Sequence, residues 1–234
     1  MPIGDIVKII ATHTFDSTWG STASLIQILD NLHSIAYSGP AEDGWSKSIL
    51  ITPAGAISEP ASNTLEWLDA NAQHMRSVLR SPDVHVFAYH DYPDDAFIEA
   101  VIVNSDGTLE QHANHTAKFA DETCLYFEAI HIAGGTVAIP YGRNTGQAFI
   151  TTWNVSDEGE VAAAATQDFE FTPSHGSFPS IQRVTDNVFV VCFQTTDNVG
   201  HARSVNITDG GAVSYTAHGS VSICAQMFAF PHMV

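Results

Sequence analysis

Residues 178–219 read "FPSIQRVTDNVFVVCFQTTDNVGHARSVNITDGGAVSYTAHG". Short runs rich in Val, Ile, Phe, Ser and Thr alternate with Asp-Asn, polar and Asp-Gly-Gly punctuation, the pattern of β-strands joined by turns. Four strands follow: A at about 180–185, B at 188–194, C at 202–208 and D at 212–218. The turn before D carries Gly211, and stepping back by 52 residues meets Gly159, Gly107 and Gly55. The same step aligns Tyr37, Tyr89, Tyr141 and Phe193, and in another column Phe15, Trp67, Phe119, Phe171 and Ile223. With aromatics at 10% of the chain, such columns in one register do not arise by chance. The chain is an internal repeat.

Four antiparallel strands recurring every 40 to 50 residues or so predict an all-β fold, a β-propeller built as a single domain over residues 1–234, because β-helices have shorter repeats and solenoids of this period are helical. Each repeat is then one four-stranded blade, and the aromatic columns fill the wedges between blades. Only "SNTLEWLDANAQHMRSVL", 62–79, has any helical character, and its alignment with strands elsewhere argues against a helix. Four full sets span about Ser24 to Gly219, leaving a D-like strand in "DIVKIIATHTF" and an A-like segment in "ICAQMFAFPHMV". The expectation is five blades with the last formed by both termini, which removes exposed sheet edges. Four blades with terminal extensions is the alternative.

Eight Lys plus Arg against 26 Asp plus Glu give a net charge of −18. A surface of that sign repels nucleic acid and anionic membrane, so neither is an expected partner. No apolar run of about 18 residues and no signal-peptide pattern is visible, which predicts a soluble chain. Cys124, Cys192 and Cys224 match no disulfide or zinc spacing, and no HExxH or calcium-loop pattern occurs, so no metal and no cofactor are expected.

Along strand A, Ile26, Val78 and Ile130 form one apolar column and Ile28, Ile132 and Val184 another, both expected in the core. Between them lie Gln27, Leu79, His131 and Arg183, which strand alternation directs to a central channel. Arg76, Arg80 and Arg183 place three arginines on or beside A strands, where they can receive an anionic ligand or instead join blades by ion pairs. The B–C and D–A loops share one face and carry the longer, more varied segments, including Trp45, Tyr92 and Arg143. Aromatic and acidic residues together suit sugar binding, and equally suit ordinary loop anchoring.

The repeat as quoted resembles the general propeller pattern of a Pro-led inner strand, an apolar second strand and a Gly hairpin. In overall plan the chain is similar to five-bladed lectin-like propellers, and that resemblance implies carbohydrate binding. It has no complete Trp-Asp, kelch or Asp-box signature. No GxSxG elbow is present, and the channel column holds no carboxylate of the kind paired glycosidase chemistry requires. Gly39, Asp91, Arg143 and Thr195 share one loop register, so the repeats diverge where a ligand would sit. The leading expectation is a ligand-binding or interaction module, with an anionic glycan as ligand and Gln27, Arg80, His131, Arg183, Trp45, Tyr92 and Arg143 as candidate residues. A glycan-active hydrolase and a structural or assembly protein are the alternatives.

Overall fold

The turn glycines account for the regularity. Gly55, Gly107, Gly159 and Gly211 all have positive φ, between 75° and 87°, a conformation that costs side-chain-bearing residues energy and glycine none. Three of these hairpins also press into the preceding repeat. A β-carbon on Gly107 would lie 2.5 Å from Pro60 Cγ, and on Gly211 3.1 Å from Thr152 Oγ1. Two hydroxyls complete the joint, Ser48 donating to Gly107 O (2.5 Å) and Thr152 to Gly211 O (2.7 Å).

The computed structural model describes residues 12–60, 63–91, 95–121, 124, 126–172, 176–195 and 198–224. Its four antiparallel sheets follow the chain in order. The first comprises β1 (Ser21–Gln27), β2 (Leu32–Ser38), β3 (Gly44–Ile51) and an outer strand in two pieces, β4 (Ile57–Ser58) and β5 (Thr64–Leu68). The second has β6 (Ala72–Ser81), β7 (Val84–Asp91), β8 (Asp95–Val103) and the divided β9 (Leu109–Glu110) and β10 (Thr116–Ala120). In the third, the inner strand is the divided one, β11 (Tyr126–Phe127) and β12 (Ile130–Ala133), followed by β13 (Thr136–Gly142), β14 (Ala148–Asn154) and β15 (Gln167–Thr172). The fourth has β16 (Ser177–Arg183), β17 (Val188–Gln194), β18 (Gly200–Ile207) and β19 (Val213–Cys224). The fold is an all-β propeller of four-stranded blades, and residues 62–79 contribute strand, not helix.

Apolar cores lie between consecutive sheets. At each seam an outer-strand aromatic meets a second-strand aromatic of the next blade. Ring centroids are 4.8 Å apart for Trp67 and Tyr89, 5.2 Å for Phe119 and Tyr141, and 5.2 Å for Phe171 and Phe193. Phe15 meets Tyr37 at 5.0 Å in the same way, so it stands in the place of an outer strand preceding blade 1.

Two expectations need correction. Outer strand D of blade 4 does not stop near residue 218: it runs to Cys224, paired with Gly200, so Ile223 ends blade 4 instead of opening a further inner strand. Val184 is not in the core. It is 58% exposed, whereas Ile28 and Ile132, its equivalents, are 5% and 4% exposed, because this column packs against the following blade. On the opposite side Leu25 is 54% exposed where its equivalent Ile181 is 5% exposed, for want of a preceding blade. The fifth-blade strands expected at residues 5–11 and 225–234 lie outside the described residues.

Candidate functional site

The inner-strand column has a common local role. Gln27 Nε2 donates to Asp30 O (2.9 Å), His131 Nε2 to Gly134 O (3.0 Å) and Arg183 to Asp186 O (2.5 Å), each reaching three residues on. These side chains close their own A–B turns, and Leu79 has no group with which to do so. Arg183 also donates to His131 O and Ile132 O of the preceding blade and lies 4.7 Å from the Phe189 ring. Arg80 shares the register of Ile28 and Ile132 and reaches the next blade, where it donates to Val155 O (2.7 Å) and pairs with Asp157. These arginines join blades. Beside this turn end, a cavity of about 650 Å³ is lined by Ile28, Leu32, Leu50 and Leu79 with Gln27, a mainly apolar setting.

The long-loop face is different. Arg143 lies over the Phe149 ring, 4.1 Å from its centroid, donates to Tyr141 Oη (3.2 Å) and stands 3.6 Å from Asp168. Tyr141 in turn donates to Asp168 (3.1 Å). Burial pushes the Asp168 pKa up, with the Tyr141 hydrogen bond and the Arg143 charge opposing it. Arg143 faces a cavity of about 240 Å³ shared with Lys118, Phe119 and Asp121, between the outer strand of blade 2 and the B–C loop of blade 3. Lys118 bridges Asp121 (2.5 Å) and Asp95 (3.6 Å).

Two repeats earlier, at the same place in the fold, a second cavity of about 300 Å³ is lined by Phe15, Asp16, Tyr37, Trp45 and Lys47 with several hydroxyl side chains. Trp45 is the counterpart of Phe149, and Gly39 of Arg143. The indole occupies the space beside Gly39 so closely that a β-carbon there would collide with it. A large ring with a glycine, or a smaller ring with an arginine, fills the same volume. Of the other candidates, Tyr92 lies outside the described residues.

Three further clusters were not legible as sites. Asp43, Glu66 and Asp69 bring carboxylate oxygens within 4.8 Å of one another, a donor set of the hard-oxygen type. His85 is buried between blades 1 and 2, its two ring nitrogens each 2.8 Å from Ser34 Oγ and Ser77 Oγ, and burial drives its pKa down to about 3. Glu99 is buried against His115 and Gln111; burial raises its pKa, while its hydrogen bond raises that of His115. Sequence reasoning also passed over a fourth aromatic column, Trp45, Phe97, Phe149 and His201, which the same 52-residue step would have shown. Its members stack on the second strand, as in Tyr89 with Phe97 at 5.4 Å and Phe193 with His201 at 5.6 Å.

No family model matches the sequence, and no curated protein does. Solved structures share the fold. A hypothetical selenium-binding protein from Sulfolobus tokodaii superposes with a TM-score of 0.57 at 12% identity, over 85% of this chain and 54% of that one. A periplasmic gluconolactonase from Pseudomonas aeruginosa gives a TM-score of 0.41 at 10% identity, over 79% of this chain and 68% of that one. The chain thus spans about half the length of the first of these. No helix among the described residues is long and apolar enough to cross a membrane.

Proposed function

We propose that the chain is a ligand-binding module and that the Arg143–Lys118 cavity receives a carboxylated or sulfated sugar. One observation carries the reading: in a chain of net charge −18 with eight Lys and Arg, two of those cations face one small cavity on the long-loop face, with the Phe119 ring on its wall. Arg143 offers a planar donor fork suited to carboxylate or sulfate. Lys118 is held by Asp121, which is 81% exposed, and an ion pair so open to water contributes at most about 1 kcal/mol, so an incoming anion can replace it. Aromatic surface beside charge and acceptors is the mixture a sugar acid needs. The negative surface elsewhere disfavours nucleic acid and anionic lipid as partners.

The test is a screen of uronic, sialylated and sulfated glycans at low and high salt, followed by calorimetric titration of Arg143→Ala and Lys118→Ala. Loss of a charge-assisted contact of about 1.5–3 kcal/mol corresponds to a Kd weakened roughly 10- to 150-fold. Binding that is unchanged in both variants removes the cavity as the site. A screen with no binder favours the assembly role, and product release from a bound glycan favours the hydrolase.

A further inference from the structure

Three residues that are not glycine adopt left-handed backbone: Thr22 (φ 46°), His74 (φ 57°) and Phe178 (φ 53°). They are separated by multiples of 52, so they are one position in three blades, two residues inside the start of each inner strand or its equivalent. At each, the pairing with the second strand slips, between Ser21 and Ser24, Gln73 and Arg76, and Ser177 and Ser180. Each inner strand therefore enters its blade through a bulge, and bulges re-aim side chains.

Left-handed backbone is strained for β-branched and bulky residues, and glycine would relieve the strain at no steric cost. Retention of Thr, His and Phe at this one position is informative because strained non-glycine conformations gather where a side chain has a task. The bulge buries Met75 completely and leaves its neighbour His74 only half-buried. In blade 3 the equivalent residue is Tyr126, whose ring meets that of Phe178 with centroids 3.7 Å apart across two blades. The inner strands touch one another in succession, β1 with β6, β6 with β12 and β11 with β16, so the column surrounds the axis at the long-loop end. His74 has no hydrogen-bond partner among the described residues. Burial, with the charge of nearby Arg76, holds its pKa below the ordinary imidazole value, which leaves the ring neutral at pH 7.

We propose that His74, Tyr126 and Phe178 frame a second, axial site for a single sugar-acid ring, a reading that takes its ligand class from the proposed function above but uses none of the same residues. The paired aromatic rings present an apolar face to the C–H face of the sugar, the imidazole hydrogen-bonds a ring hydroxyl, and Arg76 supplies the positive field that favours a carboxylate over a neutral sugar.

Sodium D-glucuronate is titrated into the protein carrying 15N-labelled histidine, with methyl glucoside as the uncharged control. The expected result is a saturable shift of the His74 ring resonances with glucuronate, retained in Arg143→Ala, and at least tenfold weaker in His74→Asn, an exchange that tolerates left-handed backbone while removing the imidazole. Thr22→Gly and His74→Gly are expected to leave Tm unchanged or raise it, as substitutions that relieve strain do. A His74 resonance that does not move with glucuronate overturns the axial site whatever happens at Arg143. A Tm lowered by several degrees in both glycine variants overturns it too, since the column then serves packing alone. If Arg143→Ala abolishes the His74 shift, the two sites are one and the axial proposal fails while the reading of the Arg143 cavity stands.

Discussion

The seams between blades and the long-loop edge are built from the same 52-residue repeat, and they have diverged by different amounts. At the seams the pairs Phe15 and Tyr37, Trp67 and Tyr89, Phe119 and Tyr141, and Phe171 and Phe193 meet at 4.8–5.2 Å. At the edge, one trio of positions holds Asp43, Glu66 and Asp69 in blade 1 but Asp95, Lys118 and Asp121 in blade 2. In blade 3 two of these places hold Gln147 and Glu170, 3.5 Å apart. A seam residue must fit a wedge of fixed shape, so the choice at each seam is among aromatics of similar size. An edge residue meets water on one side, and there a lysine can become a glutamate without disturbing the backbone. The repeat thus holds the frame constant and leaves the electrostatics of each blade free to vary.

The sharpest way to break this contrast is to remove a seam ring. Trp67→Ala is expected to cost about 3–5 kcal/mol, read as a fall in the midpoint of urea unfolding, since a buried indole between two sheets leaves a cavity. The polar part of the same seam yields to pH. His85 has a folded pKa of about 3 against 6.5 unfolded, so the unfolded chain binds a proton that the folded chain refuses. Stability therefore falls as pH drops below 6.5 and goes on falling toward 3; at pH 5 the His85 share is about 2 kcal/mol. In His85→Gln the loss between pH 7 and 5 should shrink by that amount. An equal loss in both proteins places the acid sensitivity elsewhere. Smaller again is Gly211→Ala, expected to cost about 1–2 kcal/mol because φ is 84° and the added carbon presses on Thr152.

Least costly of all is a change at the edge. Glu66→Lys gives blade 1 the charge pattern of blade 2, and an increase in stability of under about 1 kcal/mol is expected at low salt, vanishing at high salt. A loss of several kcal/mol there would mean that the edge is as constrained as the seam.

Spacing made the seams legible before any coordinates, since aromatic and glycine columns survive in a single sequence. Arg143 was legible as a cation on the varied loop face. The inner-strand column was legible as a column, though its common role was not: turn closure by Gln27, His131 and Arg183 depends on where the A–B turn points its carbonyls, which residue type does not reveal. The left-handed positions of Thr22, His74 and Phe178 left no trace either, because such residues ordinarily signal extended strand. Nor could the exchange of Gly39 and Trp45 for Arg143 and Phe149 be read as compensation until both pairs were seen to fill one volume.

The hydroxyl joints from Ser48 to Gly107 and from Thr152 to Gly211 each tie a blade to its immediate successor. A chain coupled mainly between neighbours melts as a row of linked units, with cooperativity set by each joint and not by the whole. Amide exchange should accordingly be slowest in β7, β8, β13 and β14, whose blades are gripped on both sides. It should quicken outward through β2 and β17, turning the order of the repeats along the chain into an order of opening in time.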